Sequence, residues 1–117
     1  TRARALRLEG IVVIMQANPD IEDFSAGRPR RGYYELLTQL LTETQRFDGQ
    51  VLLVHGDSHF HRVDTPLREP SGQRVANFTR LETWGSPFMG WVKVEVTPGE
   101  KPLFRFWPRD YSPRQGD

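Results

Sequence analysis

The 117-residue sequence contains no cysteine, which excludes both a disulfide framework and a thiolate zinc site. Any metal must therefore be held by histidine, carboxylate or amide oxygen. A cytoplasmic setting is compatible with this, although nothing in the residues fixes a compartment. Charge of one sign is also lacking, because 16 Lys and Arg face 15 Asp and Glu for a formal net charge of +1. No global field draws in nucleic acid or an anionic membrane, so neither partner is indicated. Long apolar runs are missing as well. The longest, Ile11-Val12-Val13-Ile14-Met15, is far too short to span a bilayer, and the N-terminus has no apolar signal-peptide core. A soluble chain is expected. What is present, 37% apolar residues with 3 Trp and 7 Phe, can supply one packed core. The chain starts at Thr1 in a helix-like stretch instead of at a methionine, which leads us to expect a longer parent that was cut or trimmed.

Residues 1–9 alternate arginine with alanine and leucine like the end of a surface helix, with Gly10 as its stop. The apolar run 11–15 suits a strand buried on both faces, ended by Asn18-Pro19. Residues 20–32 are polar and rich in Arg, Pro and Gly, and are expected to form a loop. Its Arg28, Arg30 and Arg31 suit a solvated face better than an anion contact. Tyr33, Leu36, Leu37, Leu40 and Leu41 fall on one face at helical spacing and predict a helix over 33–47, with Gly49 just beyond it. A second buried strand at 51–54 completes a β-α-β unit, most economically two parallel neighbours joined by a right-handed crossover. Short β segments follow at 62–64, 75–83 and 91–96, with a turn at Pro70-Ser71-Gly72. Val92, Val94 and Val96 alternate with Lys93 and Glu95, a half-buried antiparallel pattern. Pro98-Gly99 turns the chain into 103–107, and residues 108–117 are expected to be a frayed tail. The fold class is mixed α/β, in one unit without repeat or linker.

All three histidines, His55, His59 and His61, lie in His55-Gly56-Asp57-Ser58-His59-Phe60-His61, directly after a buried strand. Neutral imidazole is the commonest protein metal ligand, and a carboxylate beside it makes an N/O site suited to zinc, manganese or iron. Polar loop residues, with Asp57 and Ser58 capping a turn, would give the same string. Spacing alone does not separate these two possibilities.

Val51-Leu52-Leu53-Val54-His55-Gly56-Asp57-Ser58-His59 resembles the final motif of the calcineurin-like metallophosphoesterases, a buried strand running into Gly-His-x-His. Gly56 matches the glycine, Asp57 stands in place of the first histidine, and His59 matches the second. Upstream, Ile11-Val12-Val13-Ile14-Met15-Gln16 is similar to that family's penultimate motif, a hydrophobic strand ending in a metal-binding histidine, with Gln16 in its place. The intervening helix and the β-rich region afterwards, including Phe78-Thr79-Arg80-Leu81-Glu82-Thr83-Trp84-Gly85, agree with the C-terminal half of such a sandwich. Asp57-Ser58-His59 is also a literal Asp-x-His, which is how the family's first motif begins. Gly-Asp-x-x-Asp and Gly-Asn-His segments should then follow, and neither does, so the terminal placement is preferred.

The resemblance implies that residues 1–117 are a single partial domain, the C-terminal part of a metal-dependent phosphoester hydrolase. It makes His59, Asp57 and Gln16 metal ligands, with His59 on one metal and the two oxygen donors on the other. His55, Ser58 and His61 are left as surrounding or substrate-binding residues, although Ser58 also suits a loop cap and His61 a packed position in the following strand. Divalent Mn, Fe or Zn is implied for the complete enzyme, with an empty or weakly occupied site expected in this chain alone. The implied partners are the missing N-terminal half or another copy of the chain, together with a phosphoester substrate in the parent. Because Gln16 and Asp57 both depart from histidine, a non-catalytic phosphoesterase-like binding module with a degenerate metal site is the alternative.

Overall fold

The computed structural model describes residues 2–28, 32–85 and 89–111. In chain order the elements are α1 (Arg2–Ala5), β1 (Gly10–Ile14), α2 (Ile21–Ser25), α3 (Tyr34–Gln45), β2 (Gln50–His55), β3 (Arg62–Asp64), β4 (Phe78–Glu82), β5 (Met89–Val96) and β6 (Phe104–Tyr111). A four-stranded sheet has the order β1-β2-β4-β3, and β5 and β6 form a separate hairpin. The expected parallel pair is present, with Gly10 opposite Gln50 and Ile14 opposite Val54. β4 adds a third parallel strand on the far side of β2, and β3 closes the sheet antiparallel to β4. The chain is thus of mixed α/β class. Among the described residues no helix is long and apolar enough to cross a membrane.

Strand periodicity sorts the side chains of the sheet between two layers. On one face Val51, Leu53 and Phe78, with Ile11, Val13 and Met15 at the margin, pack beneath Leu37 and Leu40 of α3 and Ile21 of α2. On the other face Leu52 and Leu81 pack against Leu103, Phe104, Val92, Val94 and Phe106 of the hairpin. β2 is consequently covered on both sides, which is why its run 51–54 carries no polar residue. Burying one such leucine contributes about 1.5–3 kcal/mol. The hairpin does not reach the edge strand β1. Val12 and Ile14, which lie opposite Leu52 and Val54, remain 47% and 75% exposed.

Several boundaries differ from the sequence expectation. Gly10 does not stop α1, which ends at Ala5, with Arg7 then taking φ 56°. Gly10 instead opens β1 under the hairpin, where a Cβ would lie 2.6 Å from Leu103 Cδ2, so its missing side chain serves packing. The expected loop at 20–32 contains α2, anchored by buried Ile21. Arg30 and Arg31 lie outside the described residues. β6 continues to Tyr111, so the tail does not fray from residue 108: Pro108 pairs with Val92 on a strand whose other edge is unpaired among the described residues, where a missing N–H is tolerated. Residues 112–117 lie outside the described residues.

The end of α3 is fastened to the start of β2 by one side chain. Asn77 Nδ2 donates to the carbonyls of Thr44, Phe47 and Gly49 at 3.0, 3.0 and 2.9 Å. Its own carbonyl accepts from Val51 N–H at 2.8 Å. Losing the amide leaves clustered carbonyls without a donor, at about 1–3 kcal/mol. Asn77→Ala is expected to lower unfolding free energy by that amount in urea titrations. Asn77→Asp should cost more, because it turns an acceptor toward those carbonyls; an Asp variant as stable as the native chain would show that the side chain acts only by filling space.

Candidate functional site

The neighbouring parallel strands β1 and β2 end side by side, and their following residues are joined by backbone bonds. Met15 N–H donates to Val54 at 2.9 Å, and Gly56 N–H donates to the Gln16 carbonyl at 3.0 Å. The two loops are then tied together by Asn18. Its backbone N–H reaches Asp57 Oδ2 at 3.3 Å, and its amide Nδ2 donates to Ser58 Oγ at 2.8 Å. Asn18 Oδ1 also accepts from Asp20 N–H at 2.9 Å, an Asx turn that leads the chain into α2. Gln16 and Asp57 thus reach one end of the sheet from loops 39 to 40 residues apart in the Asn18 contacts. This is the end where open α/β sheets usually build their sites.

The histidines take three different settings. His55 is the last residue of β2 and only 1% exposed, on the α3 face of the sheet, with Nδ1 and the Gly56 carbonyl 2.9 Å apart. Its buried Nε2 has no hydrogen-bond partner among the described residues. His61 is half-buried, its Nδ1 lies 3.0 Å from the Glu82 carbonyl, and its ring lies on Trp84 at a centroid distance of 4.6 Å. It is a packed residue. His59 is exposed and sits at φ 66°, and Asp57 is exposed at φ 81°. A side chain costs about 1–2 kcal/mol in that left-handed region. Gly85 lets the His59 ring lie close, since a Cβ there would be 2.8 Å from His59 Cδ2.

Amide oxygen, carboxylate and imidazole on the exposed Gln16, Asp57 and His59 form a donor set that suits Mn, Fe or Zn in kind. Among the described residues no group of three or more His, Cys, Asp or Glu is placed to hold a metal.

Beside these loops lies a charged network that the sequence reading did not single out. Arg80 is completely buried, with Nε and Nη2 each donating to Asp64 at 2.7 Å and Nη2 also to Glu22 Oε1. Arg62 Nη2 contacts Glu22 at 3.1 Å, and its Nε donates to the fully buried Glu82. Burial by itself would raise the Glu22 carboxyl, but the hydrogen bond from Arg80, that from its own backbone and the charges of Arg80 and Arg62 outweigh it and hold the group below 4.5. For Arg80, burial would lower the guanidinium, while bonds and charge from Asp64 and Glu22 raise it above its usual range. The one available sequence signal was the alternation Phe78-x-Arg80-x-Glu82, two opposite charges two residues apart on one face of a strand whose other face carries Thr79 and Leu81. Asn18 had a signal too, as an Asx-Pro pair at a strand end.

Comparison with protein-family models, curated proteins and solved structures finds no match.

Three outcomes follow from this geometry. Arg80→Met should cost about 2 kcal/mol, below the roughly 3–5 kcal/mol of a fully buried pair, because the Glu22 and Asp64 side chains are 47% and 38% exposed and hydrate when released. Glu22 titrates below its ordinary 4.5 when folded, so its stabilisation is whole above that pH and lost as pH falls through the folded pKa. The urea midpoints of the native chain and Glu22→Gln should accordingly differ at neutral pH and converge in acid; a constant gap would remove Arg80 as the cause. His59→Gly is expected to hold or raise stability by up to about 1 kcal/mol, through relief of the left-handed strain. A loss above about 1 kcal/mol would mean that the imidazole is kept for its packing on Gly85.

Proposed function

We propose that the chain is the C-terminal portion of a metal-dependent phosphoester hydrolase, contributing the last metal-ligand segments of a calcineurin-like centre and inactive by itself. The observation that carries this is the bridging of the two strand ends: the Gln16 carbonyl on Gly56, and Asn18 on Asp57 and Ser58. The segments from which a two-motif centre would draw its side chains, distant in sequence, end side by side at one end of the sheet, which supports this reading. The strained backbone at Asp57 and His59 supports the same assignment, since such strain clusters where a side chain is held for use.

In this proposal His59 is a ligand of one metal, and Asp57 and Gln16 are oxygen donors to the other. When bound, the metal pair supplies Lewis acidity toward a phosphoryl oxygen. The chain's own task is placement. Asn18 holds Asp57 and Ser58 in register with the β1 end, the His55–Gly56 contact fixes the start of the loop, and Gly85 leaves room for the His59 ring. The remaining donors are assigned to the N-terminal half of the parent, and exposed Val12 and Ile14 mark the face that this half would cover. One observation favours the alternative of a non-catalytic phosphoesterase-like binding module: Asn18 already satisfies Asp57 and Ser58 by hydrogen bonds that need no cation.

Manganese titration of the chain, followed by paramagnetic broadening in NMR spectra, separates these. Weak binding should broaden Gln16, Asp57 and His59 together, and His59→Ala should abolish it. No phosphodiesterase or phosphomonoesterase turnover is expected from the chain with manganese or zinc. Absence of broadening at these residues would favour the degenerate module, and turnover that disappears in His59→Ala would show that this chain holds a complete centre.

A further inference from the structure

A cleft of about 630 Å³ opens between α2 and the segment that joins β3 to β4, bordered by Glu22, Ser25, Arg62, Asp64, Arg68 and Arg74. Its size falls in the range of small-molecule sites, about 300–1,000 Å³. Arg68 and Arg74 face each other across an isolated antiparallel bridge. The flanking bonds are Glu69 N–H to the Gln73 carbonyl at 2.8 Å and Val75 N–H to the Leu67 carbonyl at 2.9 Å. These place the two arginines at a pair that exchanges no backbone bonds, the position where opposed side chains come closest. Like charges directly opposite one another are destabilising.

The other ions of the cleft are already compensated. Arg62 is engaged by Glu22 and Glu82, and its guanidinium lies 5.0 Å from the Phe60 ring centroid. Glu22 and Asp64 are both bound by the buried Arg80. Glu69, next to Arg68 in sequence, accepts instead from Gln45 at 3.1 Å and Ser71 at 3.3 Å. Arg68 is steadied by donation from its Nη1 to the Gly72 carbonyl at 2.8 Å, and its backbone N–H donates to Ser25 Oγ at 3.0 Å. Among the described residues neither Arg68 nor Arg74 has a carboxylate partner. Two arginines facing each other across the bridge, neither with a carboxylate partner among the described residues, can turn several N–H donors toward one ligand, which is the donor type that planar or tetrahedral oxyanions take.

We propose that Arg68 and Arg74 form a binding site for a small phosphate-class oxyanion at the mouth of this cleft. The site stands on the arginine pair and is independent of the metal ligands assigned above. A bound dianion removes the repulsion across the bridge and is held by charge-assisted hydrogen bonds from both side chains.

The test is titration of the 117-residue chain with inorganic phosphate, followed through the arginine Nε–H resonances, with sodium chloride at matched ionic strength as the control. Saturable shifts at Arg68 and Arg74 with phosphate alone are expected. The double variant Arg68→Gln, Arg74→Gln should weaken binding at least about 10-fold, whereas Arg105→Gln, which removes a pair with Glu100 on the hairpin, should leave it unchanged. If the double variant loses its native amide spectrum, Arg74→Gln alone serves, because Arg74 makes no side-chain hydrogen bond or ion pair among the described residues, and a several-fold loss is then expected. Equal shifts with chloride, or undiminished phosphate binding in the variants, would overturn the assignment.

Discussion

The buried guanidinium of Arg80 is the interaction on which the rest of the structure depends. An arginine with no exposed surface is intolerable without counter-charges, and here they come from β3 through Asp64 and from α2 through Glu22. One side chain of β4 thereby fixes where the edge strand and a five-residue helix lie. α2 is too short to hold itself by helix propensity. Its position over the sheet follows from Ile21 in the core and Glu22 on Arg80. Because Asn18 and Pro19 immediately precede α2, locating that helix also delivers Asn18 to Asp57 and Ser58.

The same arrangement separates two kinds of chemistry at the end of the sheet. Toward β1, the strand ends carry exposed oxygen and nitrogen donors on a loop with left-handed residues at Asp57 and His59. Toward β3, Arg62 and Arg80 are bound among three carboxylates, Glu22, Asp64 and Glu82, and at the turn at residues 68–74 two further arginines face one another. His61 and Trp84, stacked between these regions, tie the loop after β2 to the end of β4.

Much of this was legible in the residues, and the failures have physical causes. The strand at 51–54 was readable because both of its faces are covered at the sheet centre, and the α3 stripe because 3.6-residue periodicity is unambiguous over three turns; the run 11–15 was readable as a strand, but the expected burial of both faces fails because β1 lies at the sheet edge with Val12 and Ile14 exposed. α2 was not, since five residues give periodicity no room and the arginines that follow resemble a loop. The extension of β6 past Trp107 was hidden by Pro108, whose missing N–H is harmless at an open edge. The histidine string did not show that His55 ends β2 with its ring buried while His59 is exposed.

The sequence by itself determined the β-α-β unit, the chemical kinds of donor after β2, and the exclusion of thiolate chemistry, because each depends on residue identity and local period alone. Only the tertiary structure decided which of those donors meet. Asn18 joins Asp57 and Ser58 because parallel pairing sets the β1 and β2 ends side by side. Arg80 is buried because β4 was inserted between β2 and β3, an order that no local pattern encodes. Arg68 and Arg74 oppose each other because the turn at Gly72 closes on them, and the spacing of six residues carries no sign of that until the backbone bonds are formed.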